Sequence, residues 1–186
     1  TGSNPYSISL NTSVNTIYIT NAFSNTVTYL DATTGALKVT YPVGSYPKGV
    51  SVDPVANTLY VANQNSNNVT CLNATTGANI GTYPAGTTLS GCGVNPGINR
   101  VYVTGTIANT VLFLNASSGA ILGTYSTLSG PVGVAVNPVA NILYVTCYMS
   151  NGVQFFDATT GSNLGFHSTG AGPRMGIAVD PAANLL

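Results

Sequence analysis

Short runs of alternating apolar and polar residues follow one another along the whole chain, separated by turn-forming residues. The stretch from 49 to 83 shows the pattern: Gly49-Val50-Ser51-Val52, Thr58-Leu59-Tyr60-Val61, Asn68-Val69-Thr70-Cys71-Leu72 and Asn79-Ile80-Gly81-Thr82-Tyr83. A period of two is what a half-buried strand requires, because successive side chains leave opposite faces of the sheet. Asp53-Pro54 closes the first run, since proline cannot donate to a ladder. Asn65-Ser66-Asn67 and Asn73-Ala74-Thr75-Thr76-Gly77 separate the others, and Gly77 supplies the positive φ that such turns often need. No window carries a convincing helical period. The stretch predicts four short antiparallel strands joined by hairpin turns.

The same pattern recurs at a fixed interval. Asp31-Ala32-Thr33-Thr34-Gly35, Asn73-Ala74-Thr75-Thr76-Gly77, Asn115-Ala116-Ser117-Ser118-Gly119 and Asp157-Ala158-Thr159-Thr160-Gly161 begin 42 residues apart. Tyr18, Tyr60, Tyr102 and Tyr144 keep that interval, as do Asn11, Asp53, Asn95 and Asn137, continued by Asp180 after one inserted residue. Four strands in a repeat of this length mark a propeller blade, and hairpin turns favour blades over the rungs of a solenoid. The expected fold is all-β, a β-propeller of four-stranded antiparallel blades. Blade 1 covers 1–44, blade 2 45–86, blade 3 87–128 and blade 4 129–170, with 171–186 the start of a fifth. The fifth unit opens at Met175-Gly176-Ile177-Ala178-Val179 and reaches Leu186 where the next Tyr-Val pair is due. Its remaining strands are expected from a larger ring or from another copy.

Composition sharpens this picture. Hydrophobic residues make up 44% of the 186 positions, enough for a sizeable core, while charged residues make up only 4%. Soluble domains usually carry about 25% charge, so this surface must be built from Asn, Thr, Ser and Gly. The 11 Tyr and 5 Phe separate the chain from disordered sequences, which are poor in aromatics. Four basic and four acidic residues cancel, and Lys38, Lys48, Arg100 and Arg174 are too scattered to follow a phosphate backbone. Nucleic acid is excluded as an expected partner, whereas the lack of net repulsion favours self-association. No run approaches the roughly 18 apolar residues of a membrane helix. The start shows no basic segment followed by an apolar run, so a signal peptide is expected to have been removed or omitted.

The phrases Gly133-Val134-Ala135-Val136-Asn137-Pro138, Asn141-Ile142-Leu143-Tyr144-Val145-Thr146 and Phe156-Asp157-Ala158-Thr159-Thr160-Gly161 resemble the YVTN β-propeller repeat. The resemblance extends over essentially the whole chain. That family is common in archaeal surface-layer and other extracellular proteins and has relatives among lactonase-like propellers. The resemblance implies a propeller fold and an extracellular or cell-surface location, but no particular activity. Many propellers of this type have seven blades.

Candidate chemistry is sparse. Asp31 and Asp157 share a repeat slot with Asn73 and Asn115, and Asp53 and Asp180 share one with Asn95 and Asn137. A general acid or base cannot be exchanged for an amide, so these carboxylates are expected to cap turns. His167, the one histidine, is expected on an exposed loop after the fourth strand of its blade, and it cannot by itself form a multi-histidine metal site. Three cysteines are too few for a disulfide framework and lack metal-type spacing. Cys71 and Cys92 fill core slots and are candidates for a bridge between neighbouring blades, while Cys147 is expected to be more exposed. No catalytic site, metal or cofactor is expected. Lys48 and Arg174 share a slot just before the innermost strand, which places them at the mouth of the central channel as a possible anion site.

Asn11, Asn68, Asn73 and Asn115 stand in Asn-x-Ser/Thr sequons near strand ends. Glycans there would supply the hydrophilic cover that charges do not. The sequence points first to a structural or adhesive propeller of the cell envelope, self-assembling as a surface-layer or filament component through an open blade edge. Glycans and envelope proteins are the other partners expected. The alternative is a carbohydrate- or protein-binding propeller; a lactonase-like or lyase-like enzyme has the least support.

Overall fold

The computed structural model describes residues 2–174, 176–183 and 185–186. Met175, named above as the first residue of the fifth unit, lies outside them. Sixteen strands form four antiparallel sheets. Blade 1 holds β1 (Pro5–Asn11), β2 (Thr16–Asn21), β3 (Thr26–Asp31) and β4 (Leu37–Pro42). Blade 2 holds β5 (Pro47–Asp53), β6 (Thr58–Asn63), β7 (Asn68–Asn73) and β8 (Asn79–Pro84). Blade 3 holds β9 (Leu89–Asn95), β10 (Arg100–Gly105), β11 (Thr110–Asn115) and β12 (Ile121–Ser126). Blade 4 holds β13 (Pro131–Asn137), β14 (Ile142–Cys147), β15 (Gly152–Asp157) and β16 (Asn163–Ser168). In every sheet the strands pair in chain order, and β1, β5, β9 and β13 pack side by side as the inner strands of a β-propeller. No helix among the described residues is long and apolar enough to cross a membrane.

Turn chemistry sets the hairpins. Asn15, Asn57, Asn99 and Asn141 take the left-handed backbone conformation after the inner strand, and Asn25, Asn67, Asn109 and Asn151 take it after the second strand. Asparagine tolerates that region better than most residues, which accounts for its abundance here. Each Asn/Asp at the end of an inner strand turns its Oδ1 onto the turn amides: Asp53 accepts from Val55 and Ala56 at 2.8 and 2.9 Å, and Asn137 accepts from Val139 and Ala140. The oxygen does the work, so acid and amide are interchangeable.

The cores lie between blades. Tyr18, Tyr60 and Tyr102 are buried and donate their hydroxyls across the interface to the carbonyls of Ala74, Ala116 and Ala158, at 2.9, 3.1 and 2.8 Å. The acceptor is always the second residue of the following blade's outer turn. A second link runs nearer the channel. Thr20 Oγ1 donates to Lys48 O at 2.6 Å, Thr104 Oγ1 to Val132 O at 3.4 Å and Thr146 Oγ1 to Arg174 O at 2.9 Å. Blade 2 has Ala62 in that slot and lacks the bond. A third link joins Asn25 Oδ1 to the Tyr46 amide at 2.8 Å, repeated from Asn67 to Thr88, Asn109 to Gly130 and Asn151 to Gly172.

Aromatic packing completes each seam. The Tyr18 and Tyr29 rings meet edge to face at 4.7 Å, as do Tyr102 and Phe113, while Cys71 replaces the second ring in blade 2. Tyr41 then lies over Gly77 of the next blade, where a Cβ would fall inside the ring and φ is +69°. Gly77 is needed there for both reasons.

Replacing Tyr60 by Phe keeps the packing but strands the Ala116 carbonyl in a buried seam. The urea midpoint of Tyr60→Phe is expected to fall by the equivalent of about 1–3 kcal/mol, the usual cost of an unsatisfied buried acceptor.

Candidate functional site

Inner strands begin at one end of the channel and finish at the other, so the hairpins alternate between two faces. The lead-in segments and the second-to-third-strand turns gather at the mouth; the other two turns of each blade lie at the far end. This geometry sorts the charges. Asp31, Asp53, Asp157 and Asp180 all lie at the far end, together with Lys38 and Arg100. Lys48 and Arg174 stand at the mouth. Lys48 is five residues upstream of Asp53 on β5, roughly 17 Å by strand rise, well beyond the Debye length of about 8 Å. The mouth cations therefore have no carboxylate to neutralise them among the described residues.

Both cations line one cavity of about 450 Å³, with Tyr6, Thr106, Val132, Tyr148 and Gly176. Tyr6, Lys48, Ser90, Val132 and Arg174 occupy one repeat slot in successive units; Ser90 is buried, and the other four line the cavity. Lys48 Nζ sits 4.9 Å from the centroid of the Tyr6 ring and 5.8 Å from that of Tyr46. The Arg174 guanidinium lies 4.6 Å from the Tyr148 ring centroid, and its Nη2 donates to Tyr148 Oη at 3.4 Å. Ring faces attract cations and restrain them without consuming their charge. A second concavity of about 540 Å³, lined by Met149, Asn151, Ala171 and Gly172, shares Tyr148 and Arg174 with the first. Below the mouth, the inner strands enclose an apolar channel of about 820 Å³ lined by Val50, Val52, Val94, Val134, Val136, Ile177 and Val179, among others.

Other sequence candidates fall elsewhere. His167 is not on a loop but within β16, in the slot of Tyr41, Tyr83 and Tyr125, with its ring 5.1 Å from that of Phe155. It is three strands out from the inner strand, roughly 14 Å by strand spacing, so it does not join the mouth. Its slot belongs to the inter-blade aromatic stack, which sequence alone did not reveal. Cys147 is fully buried rather than exposed, because its slot at the end of the second strand points inward, as Asn21 and Asn63 do. All three cysteines are free, so the Cys71–Cys92 bridge is not formed. Burial pushes the Cys71 thiol up to about 12 and the Cys147 thiol up to about 11, which keeps both protonated and unreactive at neutral pH.

Of the sequon residues, Asn11 is a correction. It is buried, with Oδ1 on the Ser13 amide and its side chain hydrogen-bonded to Tyr18, so the fold has no room for a glycan there. Asn68, Asn73 and Asn115 are partly exposed. Asn73 and Asn115 cap their turns through Oδ1, leaving Nδ2, the atom a glycan attaches to, outside the capping bonds.

No family model and no curated protein matches the sequence, so the YVTN likeness rests on the residues quoted above. Solved structures do match. Kuenenia stuttgartiensis hydrazine synthase superposes with a TM-score of 0.80 over 88% of this chain, at 23% sequence identity. The fold is a β-propeller. This chain spans about half of that chain's length, 49%, and a likeness at this identity carries the fold and nothing of the activity.

The far-end carboxylates make one measurable contribution. The Thr34 and Thr33 amides and the Thr34 hydroxyl on Asp31 hold its carboxyl below the usual range, and the Thr160 and Thr159 amides do the same for Asp157. A depressed native pKa stabilises the fold above the unfolded value and is lost as pH falls through the native one. Urea midpoints should therefore decline below about pH 4. An Asp31→Asn/Asp157→Asn variant, which keeps the Oδ1 acceptors, should lose less stability over the same interval.

Proposed function

We propose that this chain is a non-catalytic adhesive propeller of the cell envelope that holds an anionic partner at its channel mouth. The carrying observation is that Lys48 and Arg174, two of only four basic residues, line one cavity while every carboxylate side chain lies at the far end. The cavity is of the size that ligand sites favour, about 300–1,000 Å³. Envelope location is supported by the YVTN likeness and by a surface built from amides and hydroxyls. N-linked glycans on Asn68, Asn73 and Asn115 belong to the same proposal. The Tyr, Thr and Asn groups around the mouth fit recognition better than acid–base chemistry.

Assembly of copies into a layer or filament is the second reading, favoured by a chain whose four basic and four acidic residues cancel, so that copies do not repel one another. Light scattering behind a sizing column should show species larger than one chain at high protein concentration; a monomer throughout the range would remove this reading.

The anion-binding reading is tested by retention on a carboxylate-bearing matrix at roughly 0.15 M salt, where a Debye length of about 8 Å screens the far-end carboxylates from the mouth. The uncharged protein should be retained through its mouth, and Lys48→Ala/Arg174→Ala should abolish retention while Lys38→Ala/Arg100→Ala leaves it intact. Equal losses from the two pairs would sink the assignment to the mouth.

A further inference from the structure

The geometry points to an acidic oligosaccharide, a short chain of uronic acid units, as the ligand of the mouth; this rests on the anion-binding reading above and narrows it. Three observations lead there. First, the cations are not free-standing: Lys48 lies over Tyr6 and beside Tyr46, and Arg174 lies over Tyr148. Aromatic rings give flat apolar platforms for the C–H faces of sugars, and phenol groups give hydrogen bonds for their hydroxyls. Carboxylates on such a ligand would meet the adjacent ammonium and guanidinium, the latter able to take a carboxylate bidentately.

Second, the site is elongated. The cavities of about 450 and 540 Å³ adjoin through Tyr148 and Arg174, so a ligand can run from Lys48 past Arg174 toward Asn151 and Gly172. A linear acidic sugar supplies charge at intervals along its length, matching two cations carried on different blades. A compact anion would fill one cavity and leave the other vacant.

Third, the chain accepts backbone strain to place an aromatic side chain here. Tyr46 has φ +55°, in a slot that holds Asn4, Thr88, Gly130 and Gly172 in other units, all with positive φ. A bulky side chain in the left-handed region is an outlier, and such strain concentrates at functional sites. The Asn25 Oδ1 bond to its amide and the Gln64 amide bond to its carbonyl hold the conformation. What the strain secures is a ring beside Lys48 and 5.7 Å from Phe23, whose side chain is 65% exposed. The Tyr46–Phe23 contact spans blades 1 and 2 at the rim and leaves aromatic surface there for a stacking ligand.

Titration calorimetry on the full chain tests this, using trigalacturonate, the neutral trisaccharide maltotriose and citrate as probes. Trigalacturonate is expected to bind, with maltotriose and citrate at least about tenfold weaker, and Lys48→Ala or Arg174→Ala should each weaken it about tenfold. Tyr46→Gly separates stacking from folding. Glycine relieves the strain, so its urea midpoint should hold or rise, yet its trigalacturonate affinity should fall. Citrate binding as tightly as trigalacturonate would leave an anion site but overturn the sugar assignment. Unaltered trigalacturonate affinity in Tyr46→Gly would overturn it as well. Equal binding of maltotriose would overturn the acidic character of the ligand and with it the anion reading, and no binding of any probe would overturn the anion reading and the sugar assignment together.

Discussion

The propeller depends on a hydroxyl that crosses from one blade to the next. Tyr18, Tyr60 and Tyr102 each bury a ring in the seam behind their own sheet and end on the carbonyl of Ala74, Ala116 or Ala158. The ring supplies apolar area, and the hydroxyl spends its bond on a turn that would otherwise have a buried acceptor without a donor. Because the acceptor lies in the following repeat, a blade is complete only beside its neighbour. This is nearest-neighbour stability, in which each seam adds to the last.

The other links grade the seam from rim to channel. Threonine hydroxyls tie the second strand of one blade to the inner strand of the next, and turn asparagines catch the lead-in amides. Gly49 and Gly91 let adjacent inner strands approach so closely that a Cβ would meet the neighbour's backbone. These contacts fix where the lead-in residues point. The slot at the mouth varies from Tyr6 to Lys48, Ser90, Val132 and Arg174, and of these only Ser90 is buried. Apart from Ala62, Cys71 and His167, slots that build seams stay close in type from blade to blade; the slot that faces the mouth differs in every unit. Function on such a scaffold sits in the differing ones.

The same logic explains the thin use of charge. With 4% charged residues, the fold keeps all its carboxylates at the turns of the far end, where Asp and Asn do equal service as caps. Two cations are left opposite them. A small absolute number of charges thus yields a polar molecule, because strand direction assigns each repeat slot to an end of the channel.

How much of this was legible in the chain follows from what a repeat can encode. Alternation, the 42-residue interval and the Asn/Asp exchange determined strands, blades and capping carboxylates without any coordinates, since strand period and turn chemistry are local. The shared slot of Lys48 and Arg174 also placed both at the mouth. What local pattern could not show was contact across seams. It placed His167 on a loop although its ring belongs to the stack with Phe155, left Cys147 exposed although its slot points inward, and offered Asn11 to a glycan although Tyr18 and the Ser13 amide occupy it. Nor could it show that Tyr6, Tyr46 and Tyr148 close around the two cations. Those facts depend on how one blade leans on the next, and the residues concerned are brought together only by the turn of the sheets about the channel.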